Sequence, residues 1–109
     1  MQYFETIFLE SADVFIKTLD KKVQKKLFQN IRIAQKTNDP KFFKKLNRDI
    51  WEFRVRYAHQ QIRLLAFWDK RDHKNTLVIA TNGFIKKQAK TPKKEILKAE
   101  HIMNDYFKL

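Results

Sequence analysis

Apolar and polar residues alternate with a period of two between residues 50 and 57. One face of this segment carries Trp51, Phe53, Val55 and Tyr57, and the opposite face carries Glu52, Arg54 and Arg56. Successive side chains of a β-strand point to opposite faces, so the pattern predicts a strand with one face on a core and one charged face. Runs rich in β-branched and aromatic residues predict three further strands, at 2–10, 60–69 and 76–85.

The spacing of apolar residues changes to three and four after the first predicted strand. A single stripe is formed by Phe15, Leu19, Val23, Leu27, Ile31 and Ala34. This spacing is typical of a helix that buries one face. Ser11 is the predicted N-cap. Asp20 is a second candidate cap, which would divide the region into a short helix and a longer one, and the sequence does not choose between the two arrangements.

A second helical pattern occupies the carboxy-terminal part of the chain. Thr91 is predicted as its N-cap and Pro92 as its first residue, because both residue types are favoured at those positions. The apolar stripe that would dock this helix consists of Ile96, Ala99, Met103 and Tyr106.

Turn signals separate these elements. Residues 37–40 (Thr-Asn-Asp-Pro) predict a turn after the helical region, and residues 58–59 predict a tight connection between strands. The polar run 69–75 predicts a hairpin loop, while the short basic segment 41–49 has no assigned conformation. Gly83, the only glycine, predicts a bulge or a close backbone approach within a strand.

These elements predict one α+β domain spanning residues 1–109. The predicted order is β-α-α-β-β-β-α. We expect a sheet rich in antiparallel pairs, with the helices packed on one face and charged residues displayed on the other.

The charge of the chain indicates the class of its binding partner. Lys and Arg number 24 against 12 Asp and Glu, which gives a net charge of +12. Such an excess attracts polyanions, and nucleic acid is the commonest of them in a cell. Scattered lysines such as Lys25 and Lys26 are interpreted as solubility residues.

Several function classes are disfavoured by the residues that the sequence lacks. There is no cysteine, and the three histidines share no metal-ligand spacing, so we expect no disulfide, no metal site and no cofactor. No apolar run approaches the length of a membrane span, and the first ten residues are too mixed for a signal peptide. We therefore expect a cytoplasmic protein without a membrane partner.

Candidate chemistry lies on the charged side of the predicted sheet. Arg63 alternates with apolar residues, and it shares a functional face with Arg54 if the two are neighbours across the 58–59 turn; the sequence does not fix this register. A lysine cluster follows Phe84 and includes Lys86, Lys87 and Lys90. Crowded like charges favour the neutral form of a lysine, which is the form that can accept a proton.

Three motifs in this order resemble one family. They are WEFR from Trp51, QIRLLAF from Gln61 and GFIKKQAKTPKKEI from Gly83. The combination resembles type II toxins of the RelE/ParE superfamily, specifically the phage-derived HigB-like branch. The resemblance implies a small RelE-like domain and a ribosome-dependent endoribonuclease that cleaves mRNA without a metal. It also implies a cognate antitoxin, a HigA-like helix-turn-helix protein, that keeps the enzyme silent.

The resemblance also assigns roles to residues. The catalytic candidates are Arg54, Arg63, Lys86 and Lys87. The RNA-binding candidates are Arg56, Phe84, Lys90, Lys93 and Lys94. Glu52 is interpreted as a structural partner of a neighbouring arginine rather than as a base. His59 and Tyr106 remain as further candidates for proton transfer, and the general base stays open.

Two alternative functions use the same residues. The cationic face would also suit a nucleic-acid-binding module without catalysis, which predicts binding and no cleavage. Kinship of fold would further allow a ParE-like inhibitor of DNA gyrase, which predicts DNA damage and intact messages. Fold alone does not decide among these functions.

Overall fold

The computed structural model describes residues 2–71 and 77–108. Its elements in chain order are β1 (Glu5–Phe8), α1 (Glu10–Lys17), α2 (Lys21–Thr37), β2 (Phe43–Lys45), β3 (Trp51–Tyr57), β4 (Gln60–Asp69), β5 (Leu77–Lys86) and α3 (Lys93–Phe107). The predicted α+β class is confirmed. Five strands form one sheet in the order β1-β5-β4-β3-β2. Only the β1–β5 pair is parallel among the described strands.

One strand was not predicted. Residues 43–45 form the short strand β2, which pairs with the first three residues of β3. Its short length leaves no periodicity that sequence reasoning can detect. The remaining part of the predicted hairpin loop, residues 72–75, and the predicted strand residue 76 lie outside the described residues.

The amino-terminal half divides into two helices, as Asp20 allowed. Asp20 is the N-cap residue of α2, although its side chain makes no capping hydrogen bond. The turn predicted at 37–40 is confirmed, because Asn38 adopts a left-handed conformation that ends α2. The prediction that Ser11 is the N-cap of the first helix was wrong. The ladder bond from Leu9 N–H to the carbonyl of Ala80 continues β1 up to the helix, so Leu9 is the cap residue and Ser11 lies in the first turn.

The core lies on both sides of the sheet. Helices α1 and α2 cover one face, where their apolar stripe packs on Phe53, Val55, Ile62 and Leu64. Helix α3 packs on the opposite face, where Ala99 meets Leu65, Phe67 and Ile79. The prediction that all helices share one face was therefore wrong. The second face is apolar toward the end of β4, and those residues need their own cover.

Gly83 marks both of the features that its position predicted. The register between β4 and β5 shifts next to it, so that Thr81 and Asn82 form an irregular segment in β5. A Cβ atom on Gly83 would lie 2.2 Å from a ring carbon of Phe15 in α1. The irregular segment is tied to α3, because the Asn82 amide donates hydrogen bonds to the backbone carbonyl and the side chain of Glu95.

Candidate functional site

The register of the sheet brings Arg54 and Arg63 directly opposite each other on β3 and β4. The N–H of Arg54 points away from β4 and donates to the carbonyl of Phe42. The pair is therefore of the non-hydrogen-bonded kind, in which facing side chains approach most closely. Two like charges in such a position repel each other. The condition under which these arginines share one face is therefore met.

Glu52 relieves this repulsion from the same face of β3. One of its carboxylate oxygens lies 3.5 Å from Arg63 Nε and 3.6 Å from Arg54 Nε. The side chains of Glu52 and Arg63 are each only 4% exposed. A buried carboxylate between two guanidinium groups holds both in place, which agrees with its interpretation as a structural partner.

Thr91 completes the shell around Glu52. Its hydroxyl donates a 2.8 Å hydrogen bond to the second carboxylate oxygen of Glu52. The predicted role of Thr91 as the N-cap of the last helix was wrong, because Pro92 occupies the cap position and the helix begins at Lys93. The hydroxyl acts instead as a donor to a carboxylate, and a hydrogen bond to a charged group is stronger than one between neutral groups.

The Arg63 guanidinium is held by its own strand. It donates to the backbone carbonyl of Ile62 at 3.2 Å and to the side-chain oxygen of Gln61 at 3.0 Å. Its Nε atom is buried and makes no hydrogen bond within the described structure. Burial lowers the pKa of Arg63, while Glu52 acts in the opposite direction. The group is thus fixed in position and incompletely satisfied.

Lys86 lies on the same face at the end of β5. It pairs with Gln61, which in turn pairs with Arg56, and Phe84 pairs with Arg63. Partial burial lowers the pKa of Lys86, and the charge of Arg63 adds to this effect. The environment therefore favours the neutral amine relative to a free lysine.

The other predicted cations are placed less closely. Four of them are exposed and follow the end of β5: Lys87, Lys90, Lys93 and Lys94. In the described part of the chain, none of the four makes an ion pair with an acidic side chain. The Thr91 hydroxyl nevertheless fixes this segment beside Glu52, so Lys90 is one residue away from a contact with the site.

An open cleft of about 610 Å³ reaches the arginine pair from the free edge of β3. Its lining residues are Lys26, Asn30, Lys41, Phe42, Arg54, Val55, Arg56, Gln61 and Arg63. Sequence analysis missed six of these as site residues: Lys26, Asn30, Lys41, Phe42, Val55 and Gln61. Asn30 was the detectable signal, because a polar residue at helical spacing beside Leu27 and Ile31 falls on the buried face of α2.

Tyr106 belongs to a separate cluster. Its hydroxyl donates to Asp69 at 2.8 Å, and Arg71 also binds Asp69 through Nε and a terminal nitrogen. The Arg71 guanidinium holds the pKa of Asp69 far below its ordinary value. Asp69 is six residues from Arg63 along β4, or roughly 20 Å. Tyr106 is thus placed away from the arginine pair.

Within residues 2–71 and 77–108, no cluster of three or more His, Cys, Asp or Glu side chains is arranged to hold a metal ion. No helix in those ranges combines the length and apolar character that crossing a bilayer requires.

Fold and site together define an α+β protein with a cationic face built on antiparallel strands. Residues 14–104 match the model of the family described as phage derived protein Gp49-like, and the chain belongs to this family. A solved structure of the Escherichia coli toxin RelE, an arginine double mutant in the free state, is similar with a TM-score of 0.66 and 20% identity. The match covers 93% of this chain and 97% of that chain, so the fold is the RelE fold. Among curated proteins, no sequence match reaches significance.

Proposed function

We propose that this protein is the toxin of a HigB-like toxin–antitoxin pair and that it cleaves messenger RNA on the ribosome. Membership in the Gp49-like family and the RelE fold support the class. The observation that carries the proposal is the cross-strand pair of Arg54 and Arg63, held by the buried Glu52 with Lys86 on the same face. Two fixed guanidinium groups beside a lysine of lowered pKa are better suited to binding and cleaving a phosphodiester than to keeping a protein surface soluble.

The reaction is an attack within the RNA chain. The 2′-oxygen of one ribose bonds to the adjacent phosphorus, and the bond from phosphorus to the 5′-oxygen of the next nucleotide breaks. The proton of the 2′-hydroxyl passes to a base, and the 5′-oxygen receives a proton from an acid. The products are a 2′,3′-cyclic phosphate and a free 5′-hydroxyl, and neither a metal nor a redox partner is needed.

The arginine pair provides the electrostatic part of this reaction. The non-bridging oxygens of the phosphate gain negative charge in the transition state, and fixed donors aimed at that charge stabilise it without reorganisation. Arg63 is positioned by Gln61 and the backbone, whereas Arg54 is one-third exposed and open to the cleft. Arg54 therefore contacts the phosphate directly in this proposal. The buried Arg63 lies beneath Arg54 and adds positive charge to the site.

Lys86 is the proposed base. A lysine accepts a proton only as the neutral amine, and Lys86 has a lowered pKa because of partial burial and the neighbouring Arg63. Lys87, Lys90, Lys93 and Lys94 are proposed to bind RNA phosphates along the segment that leads to α3. Arg56 and Phe84 are proposed to contact the nucleotides beside the cleaved bond.

The proposed partners follow from the same chemistry. The ribosome would hold the message in a reactive geometry, which can replace much of the catalytic power that a weak base lacks. A HigA-like antitoxin would silence the protein when it is not needed.

The test is expression of the protein with Arg54→Ala beside a matched control. Arg54 is partly exposed, so the variant should fold, and loss of one transition-state donor should reduce cleavage about 10²–10³-fold. Arg32→Ala removes an exposed arginine of α2 outside the cleft and should keep full activity. The measurements are protein synthesis, the 5′ ends of messages and plasmid supercoiling.

The outcomes separate the competing functions. New 5′ ends within messages that disappear with Arg54→Ala support the proposal. Intact messages with lost supercoiling would overturn it in favour of a gyrase inhibitor, and intact messages with RNA binding would indicate a module without catalysis. Arg63→Ala is a poorer test, because the Arg63 side chain is only 4% exposed and its removal would also disturb the packing around Glu52.

A further inference from the structure

We propose that the free edge of β3 and the adjoining face of α2 form a second RNA subsite, which binds the single strand that flanks the cleaved bond. The subsite consists of Lys26, Lys41 and Arg56, with Asn30 at its floor. The inference rests on the proposed RNA substrate and names where the rest of that substrate lies.

The cleft exists because the pairing of β3 stops early. Strand β2 pairs with residues 51–53 of β3, and Phe42 accepts one more bond from the N–H of Arg54. Continuing this register would place Pro40 opposite Arg56, and proline has no N–H to donate. The chain turns away there, since the N–H of Lys41 donates to the side chain of Asp39. The edge beyond Arg54 is thus open.

Three cations converge on this open edge from separate elements. Lys26 comes from α2, Lys41 from the loop before β2, and Arg56 from β3 itself. The lining of the cleft contains no Asp or Glu, and in the described part of the chain none of the three cations is in an ion pair. Lys26 is partly buried, whereas its neighbour Lys25 is exposed and points elsewhere. The arrangement leaves three positive charges free for an anionic ligand.

Asn30 provides an independent observation. It lies one helical turn after Lys26 on the same face of α2, and its side-chain nitrogen donates to the backbone carbonyl of Arg54 at 3.2 Å. A carbonyl can only accept, so the amide orientation is fixed and its oxygen is the other atom. That oxygen is buried and has no partner within the described residues. A buried acceptor without a donor is costly, and a ribose hydroxyl entering the cleft would supply the donor.

RNA suits this subsite better than a protein segment. The open edge offers the outward backbone groups of Arg56 alone, because Arg54 is already bonded on that side. Addition of a peptide strand needs several such groups in succession. The cleft is also continuous with Arg54 and Arg63, where the cleaved phosphate is proposed to bind, so the neighbouring phosphates of the same strand reach Lys26 and Lys41.

The experiment measures binding of two labelled uridine oligonucleotides, of 4 and about 12 nucleotides, by fluorescence anisotropy at several salt concentrations. The test variant is Lys26→Ala with Lys41→Ala, and the control is Lys22→Ala with Lys25→Ala, which removes the same charge from exposed positions. Each lost phosphate contact should reduce the slope of log K against log salt by about 0.7. We expect a reduction of about 1.4 for the longer RNA with the test variant alone, and unchanged binding of the shorter RNA.

The outcomes are distinct from those of the proposed function. Equal salt slopes for the test and control variants would overturn the subsite, even if message cleavage on the ribosome is observed. A reduced slope without any cleavage would keep the subsite and reject the nuclease. If the test variant binds the longer RNA normally but loses affinity for a polyglutamate peptide, the cleft is a protein interface and the inference is wrong.

Discussion

At the scale of residues, the site depends on one buried carboxylate. Glu52 separates Arg54 from Arg63, which would otherwise repel each other on facing positions of adjacent strands. Removal of one partner from a buried ion pair costs about 3–5 kcal/mol, because the remaining charge is left uncompensated. The same carboxylate therefore contributes to stability and holds the two cations that the proposed reaction places against a phosphate.

The proposed role of Lys86 in proton transfer makes a prediction about pH. Its pKa is below the ordinary 10.5, and cleavage should rise about tenfold per pH unit until that lowered pKa is reached. Lys86→Arg should keep RNA binding and abolish cleavage, since a guanidinium stays protonated. Single-turnover cleavage of ribosome-bound message across the pH range that ribosomes tolerate measures both effects.

The control is Lys45→Arg. Lys45 is exposed, and it lies on the face of β2 that is opposite to the face of Glu52 and the arginine pair. It should leave the pH profile unchanged. An unaltered profile in Lys86→Arg would remove Lys86 as the base. The lowered pKa of Lys86 also makes stability depend on pH. Between the lowered pKa of the folded protein and 10.5, Lys86 binds a proton in the unfolded chain but not in the folded one. The free energy of unfolding therefore rises with pH through that window.

At the scale of elements, the entry to α3 is attached to the site through Thr91. Thr91→Val removes the hydroxyl at constant shape and leaves Glu52 with one partner fewer. A hydrogen bond to a charged group contributes about 1.5–3 kcal/mol, and we expect the free energy of unfolding to fall by that amount. Urea unfolding measures it, and Thr91→Ser should retain most of the stability.

A second substitution separates this role from helix capping. Asp is among the best N-cap residues, so Thr91→Asp would maintain stability if Thr91 capped α3. In the structure it would instead place a second carboxylate against Glu52. Stability equal to that of the native protein in Thr91→Asp would show that the hydroxyl acts on the helix after all.

Part of the fold could be predicted from the sequence, and part could not. Strand β3 follows from its alternation, strands β4 and β5 from their runs of β-branched and aromatic residues, and helix α2 from its stripe, because these local patterns report burial directly. The sequence could not establish that Arg54 and Arg63 lie opposite each other, since the register of a strand depends on its pairing with a distant segment. Lys26, Lys41 and the cover that α3 gives to the second face were beyond prediction for the same reason: they depend on which elements meet in space.

At the scale of the whole molecule, a net charge of +12 makes association with any acidic partner fast. Charge complementarity acts mainly on the rate of association, whereas buried apolar contacts act on the rate of dissociation. The cationic face and the cleft at the edge of β3 are therefore the surfaces where the proposed inhibitor and the proposed RNA substrate would compete.

The last prediction is that the proposed antitoxin binds over Arg54, Arg63 and Lys86 and excludes RNA from them. Raising the salt from about 50 to 500 mM should slow association about 10–100-fold and change dissociation little, because screening weakens long-range steering. Stopped-flow mixing gives both rates, and the 12-nucleotide RNA added to the preformed complex should not bind. The matched control is the protein with Arg32→Ala, whose association should keep the salt dependence of the native protein. A complex that still binds this RNA would show that the inhibitor acts from another surface, by keeping the protein off the ribosome rather than by covering its cations.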